Sequence, residues 1–322
     1  MNKFLAGTAA AGVLATVAAA SAVAFGTASP GPPLHSVTDL TAAIDRRGMP
    51  AVRHAIARDG TALAFRLYPA PGSRRVAILY HGASDSSQGM HAVATALQSA
   101  GITACAVDTR GHGGSGTRGD VAYVGQLEDD LHDLLTHLRA RHPGARFSLV
   151  GHSSGGGFVL RVAGSPGAEA FDRFVLTAPY LHHQAPTSRG ADGGGWASPY
   201  VPRLTVLGAL DAVGVDAFGG LPVIAFAVAP EHPGPRTYSY RLFRNYAPHR
   251  NYVGDAQRSP RPIHVIAGSA DEVFRADRYA DAFAAAPGRV AVRLLPGLGH
   301  MAMVSDPAAL AAVTAAVARA GD

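Results

Sequence analysis

Short, almost unbroken apolar runs alternate along this chain with longer stretches in which apolar residues recur every three or four positions. Val76 to Tyr80, Ile102 to Val107, Phe147 to Val150, Phe174 to Thr177, Ile263 to Ala267 and Ala291 to Leu295 are too short for helices, so they predict strands, mostly buried on both faces. Between them the helical patterns fall at Met90 to Ser99, Val124 to Arg141, Ser154 to Ala163 and Ala276 to Ala285, and Pro307 to Ala320 closes the chain. Upstream, Val52 to Arg58 and Thr61 to Tyr68 flank Asp59-Gly60, a dipeptide that favours a tight hairpin, so the sheet begins antiparallel. Strand–helix alternation after that point predicts right-handed crossovers and an α/β fold: a mostly parallel, eight-stranded sheet flanked by helices. Ligands of such a sheet sit beyond the C-terminal ends of its strands.

Two regions depart from this rhythm. Residues of about 180–260 hold Trp196, the Gly193-Gly194-Gly195 flexible point, an apolar tract from Val206 to Ala229, and an aromatic, basic tail with Tyr238, Tyr240, Phe243, Tyr246 and Tyr252. The first thirty residues are different again: Lys3 gives a positive start, Phe4 to Gly26 carries no charge, and Ser29-Pro30-Gly31-Pro32-Pro33 breaks any helix. Residues 1–30 are therefore expected to be an export signal or an N-terminal membrane anchor, 31–50 a linker, and 51–322 the folded unit. Small residues at Ala20-Ser21-Ala22 and Ala22-Val23-Ala24 suit cleavage, whereas the length of the run suits retention across a bilayer. Either way the folded unit is expected outside the cytoplasm, secreted or held to the membrane by residues 4–26.

Composition narrows the function classes. The chain has 322 residues, of which 16% are charged and 48% hydrophobic, which excludes a disordered chain and suits one α/β domain with an insertion. Lys3 is the only lysine, no run of five basic residues occurs, and the net charge of +5 reflects scattered arginines, so no nucleic-acid partner is expected. Cys105 is the only cysteine, and the fifteen histidines include no H-E-x-x-H or similar helical spacing; no metal or other cofactor is expected. Glycines near 111–116 lack the Gly-Lys-Ser/Thr of a phosphate loop and follow Asp108, whose charge would repel phosphate.

Chemistry enters at Gly151-His152-Ser153-Ser154-Gly155, between the strand ending at Val150 and the helical pattern beginning at Ser154. A turn this tight holds its central residue at strained backbone angles and needs glycines where side chains would collide, which makes Ser153 the candidate nucleophile. Helix amides begin just beyond it, where a developing negative charge is stabilised. Downstream, the strand Ile263 to Ala267 runs into Gly268-Ser269-Ala270-Asp271-Glu272, and the strand at Ala291 to Leu295 runs into Pro296-Gly297-Leu298-Gly299-His300. Serine, then acid, then histidine, each after its own strand, is the order of a hydrolytic triad. A serine hydroxyl needs an imidazole to take its proton, and the imidazole needs a carboxylate to fix its tautomer.

These segments, together with Leu79-Tyr80-His81-Gly82-Ala83 and Asp108-Thr109-Arg110-Gly111-His112-Gly113-Gly114-Ser115, resemble the α/β-hydrolases of the monoacylglycerol lipase, lysophospholipase and serine aminopeptidase-like group. The resemblance covers roughly residues 50–180 and 260–320. It implies Ser153 as nucleophile, Asp271 as acid, His300 as base, and the amides of Ala83 and Ser154 as an oxyanion hole. It also implies that residues of about 180–260 are a cap, and that the substrate is a carboxylic ester of monoacylglycerol or lysophospholipid type. The same triad serves a peptidase, an amidase or an acyltransferase, and a catalytically silent ligand-binding homologue is the non-enzyme alternative. Glu272 and Asp277 are rival acids. His81 and His112 read as loop-ordering residues, Asp85 as a support for the oxyanion loop or a solvated group, and His152 as a packing residue. The oligomeric state is left open.

Overall fold

The computed structural model describes residue 21 and residues 23–42, 45–190 and 195–319. Most of the apolar run 4–26 lies outside the described residues, as do Gly193, Gly194 and Ala320, so the expectations placed on them are not addressed by the coordinates.

One sheet of eight strands organises the chain: β1 (Val52–Ile56), β2 (Ala62–Tyr68), β3 (Arg75–Tyr80), β4 (Thr103–Val107), β5 (Arg146–His152), β6 (Arg173–Thr177), and two late strands that become β10 (Ile263–Gly268) and β11 (Val290–Leu295). Their order across the sheet is β1-β2-β4-β3-β5-β6-β10-β11. β1 and β2 form the expected hairpin, β2 also pairs antiparallel with β4, and every later pairing is parallel. The hairpin turns at Gly60 (φ +83°), and the Asp59 carboxylate accepts the Thr61 N–H at 3.0 Å.

The unbroken apolar runs have a direct cause: both faces of the sheet are covered. Along β3, Val76, Ile78 and Tyr80 enter one core, and Ala77 and Leu79 enter the other. The first core is closed by α3 (Gln126–Arg141) and α4 (Ser154–Ala163), the second by α2 (His91–Ser99) and α9 (Pro307–Ala318). α3 shows how the sequence specifies such a helix: Leu127, Leu131, Leu134, Leu135 and Leu138 make one buried stripe, acids occupy its first turn, and Arg139 and Arg141 its last. β11 alternates only partly because it is an edge strand, paired to β10 alone.

Three stretches differ from the sequence pattern. The helix expected over Ala276 to Ala285 shrinks to α8 (Tyr279–Ala282) after a single tight turn at Ala276–Arg278; Phe283, Ala284 and Ala286 then continue as overlapping turns. Residues between β6 and β10 contain a second, antiparallel sheet of β7 (Ala197–Pro199), β8 (Pro222–Phe226) and β9 (Thr237–Ser239), with α5 (Val201–Ala212), α6 (Tyr240–Asn245) and α7 (Tyr252–Arg258). The apolar tract Val206 to Ala229 is thus divided between a helix and a strand, and three-residue strands carry too little periodicity to be read. Finally, the span 31–50, expected as a linker, includes α1 (His35–Ala42), whose Val37 is buried against the second core. The Leu34 N–H donates to the Ala227 carbonyl at 3.0 Å, which ties this segment to the insertion.

Candidate active site

At the end of β5 the backbone turns through Ser153, which sits at φ 53°, ψ −118°, and α4 starts on the next residue. Close packing explains the flanking glycines. A Cβ on Gly155 would lie 2.4 Å from the His81 carbonyl oxygen, and one on Gly151 would lie 2.2 Å from the Gly155 carbonyl oxygen. The turn is pinned by hydrogen bonds from the Ser153 N–H to the Thr177 carbonyl and from the Gly157 and Tyr180 N–H groups to the Ser153 carbonyl, each 3.0 Å. Positive φ at a non-glycine residue costs energy and persists only where the surroundings over-determine it. Among the described residues three such positions occur, Ser84, Ser153 and Ala178, and all follow C-terminal ends of sheet strands. Backbone strain is concentrated at one rim.

Asp271 and His300 meet at that rim. Asp271 Oδ2 lies 2.9 Å from His300 Nδ1, and Oδ1 accepts the N–H groups of Val273 and Phe274 at 2.8 Å each. Burial opposes ionisation of this carboxyl, but the adjacent imidazole and the two amides outweigh it and hold the group below the usual aspartate range. An ionised Asp271 accepts a hydrogen from Nδ1, so the lone pair of His300 sits on Nε2. The ring is flanked by His152, tilted at 44° with centroids 4.7 Å apart, and by Phe274, edge to face at 5.3 Å. Burial, and then the nearby His300, depress the pKa of His152 well below the ordinary histidine value, so His152 stays neutral.

Ser153 and His300 line one small cavity together with Gly82, Ala83, Ser84, Asp85, His152, His232, Val37, Trp196 and Met301. Ser153, Asp271 and His300 are all nearly inaccessible, and the cavity holds about 20 Å³, room for a water but not for an acyl chain. The strand-end loops supply its floor. Its cover comes from α1 through Val37 and from the insertion through Trp196 and His232. A larger cavity of about 220 Å³ lies apart from these residues, lined by Tyr123, Leu207, Asp211 and Tyr240 among others.

The loops noted in the sequence build the surroundings. The His81 Nδ1–H donates to the Gly82 carbonyl at 2.7 Å and its Nε2 accepts the Thr109 N–H at 3.2 Å, joining the loops after β3 and β4. Asp108 accepts the N–H groups of Ser87 and Gly114, both at 2.8 Å. The buried Arg110 pairs with Asp130 at 2.6 Å and Asp59 at 2.9 Å, fastening the loop to α3 and the hairpin. Of the rival acids, Glu272 accepts the backbone N–H of His300 at 2.9 Å, and Asp277 is exposed. Asp85 lines the cavity, and burial raises its pKa. Ser84, His232 and Val37 carry no sequence signal of a site role, because tertiary folding alone brings them to the cavity. Among the described residues no group of three or more His, Cys, Asp or Glu side chains could hold a metal ion, and no helix is long and apolar enough to cross a membrane.

The strand order and the strand-to-helix serine turn define an α/β-hydrolase. The chain belongs to the serine aminopeptidase S33 family, whose sequence model matches residues 71–307. A monoacylglycerol lipase of Mycolicibacterium smegmatis is 31% identical over 115 residues, 35% of this chain and 41% of that protein. A non-heme chloroperoxidase of Kitasatospora aureofaciens is 30% identical over 136 residues, 42% of this chain and 47% of that protein. The chain thus spans under half the length of these curated relatives. The crystal structure of a Paleococcus ferrophilus monoacylglycerol lipase shares the fold, with a TM-score of 0.59 at 19% identity over 79% of this chain and 96% of that one.

Proposed function

We propose that this protein is a serine hydrolase of carboxylic esters, lipid-like esters of the monoacylglycerol or lysophospholipid type in particular. The observation that carries the reading is the Asp271–His300 pair at 2.9 Å, whose imidazole lines one cavity with a strained Ser153 at the start of α4. In this reading His300 Nε2 takes the Ser153 hydroxyl proton as Oγ attacks the ester carbonyl. The oxyanion is held by the N–H groups of Ala83 and Ser154; amides of a helix's first turn have no intrahelical acceptor. Collapse expels the alcohol, which receives the proton from His300. Water then repeats the cycle on the acyl-enzyme, releasing the acid and restoring the serine.

Lipid character is supported by the apolar part of the cavity wall, Val37, Trp196 and Met301, and by the similarity to the lipase relative. Ester is favoured over peptide because an aminopeptidase must hold a cationic amino terminus. Asp85 is the only carboxylate among the lining residues, and burial disfavours its charged form. The cavity of about 20 Å³ is smaller than such substrates, so in this reading binding requires its lining to open. We also propose, from the apolar run 4–26, that the chain is exported; the mass of the exported product reports whether that run is retained.

The test is Ser153→Ala. The parent is expected to hydrolyse p-nitrophenyl esters and to be labelled at Ser153 by a fluorophosphonate, and the folded variant to lose both. Parental turnover by a folded Ser153→Ala would overturn the assignment.

A further inference from the structure

Ser84 directly follows Ala83 and holds a left-handed backbone, φ 62°. Each of its polar groups bonds to the insertion. The N–H donates to the Tyr238 phenol oxygen at 3.1 Å, the hydroxyl donates to the Pro235 carbonyl at 2.8 Å, and the carbonyl accepts from His232 Nε2 at 2.7 Å. The approach is so close that a Cβ on Gly234 would fall 1.7 Å from the Ser84 carbonyl oxygen. Tyr238 is itself oriented: its hydroxyl donates to His112 Nε2 at 2.6 Å, leaving an oxygen lone pair for the Ser84 N–H, and His112 Nδ1–H donates to the Arg110 carbonyl at 3.4 Å. Burial, and then the neighbouring His81, keep His112 neutral and therefore able to accept. The buried Tyr246 adds a bond from the same insertion to the His81 carbonyl at the end of β3.

We propose that Ser84 is a positioning residue, clamped by Tyr238, Pro235 and His232, that fixes the amide of Ala83 where the carbonyl oxygen of a bound ester becomes an oxyanion. The Ala83 N–H lies in the Gly82–Ala83 peptide plane, which is joined to the clamped Ala83–Ser84 plane only through the two backbone torsions of Ala83, so a relaxed Ser84 lets that amide tilt, and a misplacement of an ångström is enough to slow chemistry. The insertion then does more than cover the cavity: it completes the catalytic loop. This role deepens the ester-hydrolase reading and rests on it.

Tyr238→Phe removes the hydrogen bond to His112 and the oriented acceptor for Ser84 while keeping the ring. Expected is a fall in kcat of about 10- to 100-fold with KM within about twofold. A trifluoromethyl ketone, which becomes an oxyanion on Ser153, should lose affinity by the same factor, and the matching ether, which has no carbonyl, should bind as before. Ser84→Ala, which loses only the hydroxyl bond to Pro235, should shift kcat and ketone affinity in the same direction by less, and it decides the matter if Tyr238→Phe does not fold. Parental kcat and ketone affinity in a folded variant, or equal weakening of ketone and ether, would overturn the clamp. Ser153→Ala assayed alongside separates the two ideas: its inactivity beside a parental Tyr238→Phe rejects the clamp alone, whereas its full activity rejects the hydrolase reading and the clamp together.

Discussion

Asp271 gives one carboxylate oxygen to His300 Nδ1 at 2.9 Å and the other to the amides of Val273 and Phe274 at 2.8 Å, so the carboxylate cannot turn without breaking bonds on both sides. Asp271→Asn keeps the shape but can present an amide N–H to Nδ1, which forces the imidazole hydrogen onto Nε2, the atom that accepts the serine proton in the proposed mechanism. The expected result is a loss of about 10³- to 10⁴-fold in kcat against a p-nitrophenyl ester, with the fold intact by circular dichroism. Glu272→Gln should cost far less, because Glu272 holds only the main-chain N–H of residue 300.

Acid should weaken the same contact. Burial pushes the Asp271 carboxyl up, the imidazole and the two amides pull it down further, and the folded value ends below that of the unfolded chain. A group depressed on folding contributes its full stability above the unfolded value of about 3.9 and loses it as pH falls through the lower folded value. Urea midpoints of the parent and of Asp271→Asn should therefore differ at about pH 6 and draw together as pH falls below about 4. A gap that widens on acidification would contradict the sign.

Gly155→Ala tests the packing of the serine turn. The new methyl would meet the carbonyl oxygens of His81 at 2.4 Å and Tyr80 at 2.6 Å, both main-chain atoms with nowhere to go. A loss of about 2–3 kcal/mol in urea unfolding is expected, together with loss of esterase activity, because the strand end and the helix start must part.

Trp196→Ala should change selectivity more than chemistry. The indole lines the cavity and packs on Phe226 at 5.8 Å without belonging to the serine or imidazole loops. Opening that wall is expected to raise kcat/KM for long-chain relative to short-chain p-nitrophenyl esters by about tenfold. An unchanged chain-length profile would remove Trp196 from the acyl site.

What the sequence made legible was what local pattern encodes. The sheet strands of Ile78, Leu149 and Val265 read as apolar runs because helices cover both faces, and the hairpin at Asp59-Gly60 announced itself through turn chemistry. Gly151 and Gly155 flagged the serine turn because only their lack of a side chain lets the strand and helix touch. Asp271 and His300 were findable as loop residues after strands, although nothing local shows that Asp271 rather than Glu272 faces the imidazole. A cap over residues of about 180–260 was legible through the family resemblance, but which side chains meet at the cavity was not. Val37, Trp196, His232 and Ser84 come from unrelated stretches with no shared period, and their meeting is decided by long-range contacts such as Leu34 on Ala227 and Tyr238 on Ser84. β7 and β9 are three residues each, below the length at which alternation means anything.

Val37 and Met301, far apart in the sequence, line the same cavity. A ribosome-bound chain that has emitted everything up to β6 already owns the serine turn, yet it lacks the imidazole, its carboxylate and half of the enclosure. Under the proposed hydrolase reading, such a partial chain is inert, and the site is complete only once the segment carrying Asp271 and His300 has folded onto the strand that carries Ser153.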